Sequence, residues 1–94
     1  MGKARGYGGG KMTSNLEGHQ FQKRSLTLHS HKTSVSLEKA FWDVLEQDAR
    51  SQNISLSQLV KNIDENRKGN LASALRLYAL DITFALANRY KNNT

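Results

Sequence analysis

The residues best placed to do chemistry are short hydroxyls and cations at alternate positions. In the run from Lys32 to Glu38 (K-T-S-V-S-L-E), Lys32, Ser34 and Ser36 fall on one side of an extended chain. Thr33, Val35 and Leu37 fall on the other, because side chains on a strand switch faces at every residue. A row of one ammonium and two hydroxyls can hold a partner by hydrogen bonds, but it activates no nucleophile. A second polar cluster, Asn53, Ser55 and Ser57, lies in S-Q-N-I-S-L-S. Asn53 suits the left-handed conformation that ends a helix, with Ile54 packing behind it, and Ser55 suits the N-cap of the next. His29 and His31 stand two apart, as metal ligands on one strand face would, yet no cysteine or carboxylate adjoins them and no metal is expected. Nothing resembles a Gly-rich phosphate loop, a carboxylate pair or a grouped serine, histidine and acid. Neither enzymatic activity nor a cofactor is expected.

The elements that must position these residues follow from periodicity. A lone strand leaves its backbone groups unpaired and its apolar face uncovered. The rest of the chain offers no strong partner, so the expected partner is the same strand of a second copy. Between Phe21 and His31, Leu26 and Leu28 alternate with Ser25, Thr27 and His29, which suggests a short strand. Its apolar positions are even-numbered and those of the main strand are odd, so a bulge or bend is expected near Ser30 and His31. Lys23, Arg24 and His29 would extend its basic surface.

A first helix is expected from Glu38 to about Gln52, with an apolar stripe through Leu37, Ala40, Phe41, Val44, Leu45 and Ala49. Trp42 falls off that stripe, as a ring covering the edge of the dimer core. A second helix starts after Ser55, runs through Leu56, Leu59, Val60 and Ile63, and ends near Glu65 or Asn66. Arg67 to Asn70 reads as a turn, with Asn70 capping a third helix from Leu71 to about Tyr90. That helix is apolar over most of its circumference, leaving a narrow solvated line through Arg76, Thr83, Ala87 and Tyr90. A helix this apolar is expected to be buried on two sides, which also calls for a second chain.

The 94 residues make one small domain, and the absence of cysteine excludes disulfide staples and thiolate metal sites. No apolar run approaches the length of a membrane span, and no secretory signal opens the chain, so a cytoplasmic protein with no membrane partner is expected. The net charge of +6 is uneven: residues 1–35 hold six basic side chains and one acid, and residues 36–94 hold eight and seven. Such asymmetry favours a polyanionic partner. Residues 1–22 form a basic tail holding six of the seven glycines, expected to be disordered. Its R-G-Y-G-G-G run is similar to segments that stack on nucleic acids, although a flexible leader is the plainer reading. Residues 23–94 form the folded domain.

The order strand, helix, turn, helix, with K-T-S-V-S-L-E before the first helix and N-I-S-L-S before the second, resembles the ribbon-helix-helix family of bacterial DNA-binding proteins. The resemblance covers about residues 32–66 and looks closest to a small subgroup with an F-W pair (Phe41, Trp42) and a further helix. It implies a mainly α homodimer with an intermolecular antiparallel two-stranded β-ribbon and an additional C-terminal helix. It implies a transcriptional regulator whose ribbon enters the major groove of double-stranded DNA. Base contacts would fall to Lys32, Ser34 and Ser36, and phosphate contacts to Asn53, Ser55, Ser57, Lys23 and Arg24. The dimer core would comprise Val35, Leu37, Phe41, Leu45, Leu59 and Ile63. A ribbon does fit the major groove, and a helix N-terminus does seat a phosphate. Family members often carry long Arg, Asn or Gln side chains where this chain has Ser34 and Ser36, which implies modest sequence discrimination. The alternative is a dimeric protein-interaction module or antitoxin-like adaptor with weak DNA binding and a protein partner. The short serines favour it; the charge asymmetry and the strongly helical C-terminus do not.

Overall fold

A computed structural model describes residues 18–92, with side chains described through Arg89. The element order is β1 (Phe21–Leu28), β2 (His31–Glu38), α1 (Lys39–Gln52), α2 (Leu56–Asn66) and α3 (Leu71–Asn92). Most of the expected tail lies outside the described residues. Phe21 and Gln22, expected to end it, already belong to β1.

The ribbon expected between two chains is present, and both of its strands belong to one chain. β1 pairs antiparallel with β2, from Leu28 opposite His31 to Phe21 opposite Glu38. This corrects the expectation that the main strand finds no partner in its own chain. The physical reason lies in the change of phase between the strands, which is a tight turn and not the expected bulge. His29 and Ser30 both have positive φ, 52° and 69°, the two-residue hairpin turn whose twist matches that of the strands. In the register it sets, even residues of β1 oppose odd residues of β2, so the switch of parity keeps all apolar side chains on one face.

That face carries Leu26, Leu28, Val35 and Leu37, all buried. Below it lie Trp42, Leu45 and Ala49 of α1, Leu59 and Val60 of α2, and Leu75 and Ala79 of α3. Four of the residues expected in a dimer core, Val35, Leu37, Leu45 and Leu59, are thus buried within one chain, and Phe41 and Ile63 pack against them half-buried. Trp42 is fully enclosed rather than at an edge, and Ala40 is exposed. The hairpin explains the change: β1 passes over the ring, whose Nε1 donates to the Gln22 carbonyl at 2.9 Å.

The helix ends follow local chemistry. Asn53, at φ 62°, closes α1; its amide donates to the Arg50 carbonyl and that of Ile54 to Ala49. Ser55 Oγ accepts from the Gln58 amide at 3.0 Å and opens α2. Gly69, at φ 93°, turns the chain, and Asn70 Oδ1 accepts from the Ser73 amide at 2.8 Å to begin α3. One surface of α3 meets the core at Leu75 and Ala79, while the other side of the helix exposes Leu77, Leu80 and Phe84. Of the line expected to be solvated, Arg76 is half-buried over the Phe41 ring and bound to Glu38. Among the described residues, α1, α2 and β2 cover one side of α3 and leave the other open.

Candidate nucleic-acid interface

Register decides what the outer face of the hairpin displays. Opposite the buried leucines stand Thr27 beside Lys32, Ser25 beside Ser34, Lys23 beside Ser36, and Phe21 beside Glu38. All but Glu38 are exposed. Ser25 Oγ and Ser34 Oγ lie 3.3 Å apart across the strands. The three residues expected to read bases, Lys32, Ser34 and Ser36, therefore share one surface. A second row on β1, Ser25 and Thr27 with Lys23, completes it. Ser25 and Thr27 were missed at the level of sequence, although the parity switch about His29 and Ser30 was the signal for them.

The two adjacent cations of β1 separate. Lys23 points outward and lies across from Ser36. Arg24, expected to touch phosphate, turns to the protein side, where its guanidinium pairs with Glu46 and lies 5.0 Å from the centroid of the Trp42 ring. A cation packed on a ring and matched to a carboxylate is already satisfied. Arg24 supports the sheet from behind.

The only carboxylate on the outer strand positions, Glu38, stands at the far end of the hairpin. Arg76 Nε donates to its Oε1 at 2.9 Å. A hydrogen bond from its own backbone amide and the Arg76 guanidinium hold its carboxyl below the usual glutamate range, so it stays ionised and bound to the helix. The outward surface is left with two ammonium groups and four hydroxyls between them, a set that attracts phosphates and donates to or accepts from base edges. At the hairpin tip, His29 Nε2 lies 3.5 Å from Asp64 Oδ2 on α2, and Arg67 Nε donates to Asp64 Oδ1 at 2.6 Å.

Asn53, Ser55 and Ser57 gather at the start of α2, as expected from their spacing. Asn53 and Ser55 are exposed and Ser57 is half-buried. Ser55 is committed to the cap, and the first-turn amides of Leu56 and Ser57 are the donors that a helix start offers to an anion. Among the described residues, no group of three His, Cys, Asp or Glu side chains could hold a metal ion, and no helix is long and apolar enough to cross a membrane.

No curated protein matches the chain. A solved structure, an uncharacterized protein from Bordetella pertussis Tohama I, is similar at 32% identity and a TM-score of 0.70. The match covers 82% of this chain and 66% of that one, just under two thirds of its length. The family model described as a ribbon-helix-helix domain matches residues 21–83, which span β1, β2, α1, α2 and the first half of α3. The chain belongs to the ribbon-helix-helix domain family.

Proposed function

We propose that the chain binds double-stranded DNA as a transcriptional regulator, laying the outer face of its own hairpin in the major groove. One observation carries this reading: the outer face holds Lys23, Ser25, Thr27, Lys32, Ser34 and Ser36 together, and its single carboxylate is tied back by Arg76. Two strands about 4.8 Å apart, with their side chains, fit a groove about 12 Å wide. Two hairpins joined edge to edge would place their outer strands about 14 Å apart, wider than the groove. The inserted ribbon is therefore that of one chain.

Lys23 and Lys32 supply the attraction and the longer reach to base acceptors. The four hydroxyls match donors or acceptors on either strand without strong preference, so sequence discrimination is modest. The first turn of α2, with Asn53, Ser55 and Ser57, seats a flanking phosphate on its amides. The basic residues of the tail add attraction without specificity.

The test is a binding titration against the DNA upstream of the protein's own gene and a scrambled duplex of equal length. Both are run at low and near-physiological salt. A preference that survives salt supports the regulator. Equal binding that vanishes with salt contradicts it and directs the search to a protein partner.

A further inference from the structure

The outer face of the hairpin carries one side chain that neither charge nor hydrogen bonding explains. Phe21 stands at its open end, on the same side as Lys23 and Ser25, and is 63% exposed. The other large apolar side chains exposed among the described residues all lie on α3. A lone ring on a protein surface needs no explanation. A ring on the face that enters a DNA groove does, because it must meet the duplex there.

The fold holds this position firmly. The Gln20 carbonyl, just before the ring, accepts from the Lys39 amide at 2.7 Å. The Gln22 carbonyl, just after it, accepts from Trp42 Nε1 at 2.9 Å. The backbone on both sides of Phe21 is therefore tied to α1, as a precise contact requires. Across the strands stands Glu38, whose carboxylate Arg76 keeps at that end. A phenyl ring makes no hydrogen bond to a phosphate oxygen, and a carboxylate repels one. This end of the ribbon suits base edges and not the sugar–phosphate chain.

We propose that Phe21 is a specificity-determining residue, packing its ring on the C5-methyl of a thymine in the major groove. That methyl is the apolar group that base edges display there, and contact with it selects thymine over the other bases. Lys23 lies about 7 Å along the same strand face, so the ring and the nearest ammonium address neighbouring parts of one site. The hydroxyls between the two lysines accept almost any base; the ring supplies a discrimination that they do not. The inference rests on the hairpin lying in the groove, and it adds which base is chosen at one end.

The experiment compares two duplexes of the DNA upstream of the protein's own gene, one with thymine and one made with uracil throughout, at near-physiological salt. Uracil lacks only the C5-methyl, so base pairing and phosphate charge are unchanged. The native full chain, Phe21→Ala and Phe21→Leu are titrated against both, and thermal melting reports whether each variant folds. The native chain is expected to bind the uracil duplex about fourfold more weakly, the worth of one buried methyl. Phe21→Ala should bind the two duplexes alike, and Phe21→Leu, still apolar, should keep part of the preference. Should Phe21→Ala unfold, Phe21→Ser stands in for it. Equal binding of the two duplexes by the native chain overturns the inference and leaves DNA binding intact. A preference that persists unchanged in the folded variant assigns the methyl contact to another side chain and overturns it too. Binding to neither duplex sinks the proposed function, and the inference with it.

Discussion

On the inner face of the hairpin, Leu26, Leu28, Val35 and Leu37 are buried against three helices; on the outer face, Lys23, Ser25, Thr27, Lys32, Ser34 and Ser36 are all exposed. The two sets share one backbone and alternate along it residue by residue. The inner set contributes burial and specifies the fold. The outer set is exposed and packs against no helix, so its side chains are open to a partner. Arg24 and Lys23 make the contrast at its sharpest, because they are neighbours of like charge. One is packed on Trp42 and paired with Glu46, and the other has no ion pair among the described contacts.

Substitutions can break this contrast if it is wrong. Leu37→Ala, on the inner face, should cost about 2–5 kcal/mol in a denaturant titration, because it leaves a cavity among residues that cannot fully close. Arg24→Ala should cost about 1 kcal/mol, a value held down by partial exposure of the ion pair, and should leave the salt dependence of DNA binding unchanged. A loss of the same size is expected for Ser55→Ala, which removes the acceptor of the Gln58 amide. Ser30→Gly should raise stability by about 1 kcal/mol, since glycine adopts the positive φ of the turn without a steric penalty. On the outer face, Lys23→Ala and Lys32→Ala should each change stability by less than about 0.5 kcal/mol.

Acid should act through Glu38. Its folded pKa is depressed, so its contribution to stability is present above the ordinary glutamate range and is lost as pH falls through the lower folded value. Arg76→Met should shrink that acid-side loss, which is measured by thermal melting across the range.

Much of the fold was legible because it is local. The helix ends at Asn53 and Ser55 follow from side chains that satisfy nearby backbone groups, and the strand at Lys32–Glu38 follows from alternation. Pairing was not legible in the same way. The alternation in β1 is weak and its parity switch resembles a bulge, because His29 and Ser30 are not the Asn-Gly or Gly-Gly pairs that announce a two-residue turn. Without that turn the sequence shows no partner strand, no cover for Trp42, and no place for Ser25 and Thr27 in the candidate site. Nor does alternation alone show that Arg24 faces the helices. The apolar excess of α3 was visible in the sequence, but which of its sides the chain covers depends on how three helices meet the hairpin. Periodicity along one helix carries no such information.

The most direct measurement is the salt dependence of DNA affinity for the native chain and for the double variant Lys23→Ala/Lys32→Ala. If the outer face of the hairpin lies in the groove and its lysines displace counterions, the double variant binds more weakly and its log–log slope is shallower by about two. The same slope and the same affinity in a folded double variant would contradict the account.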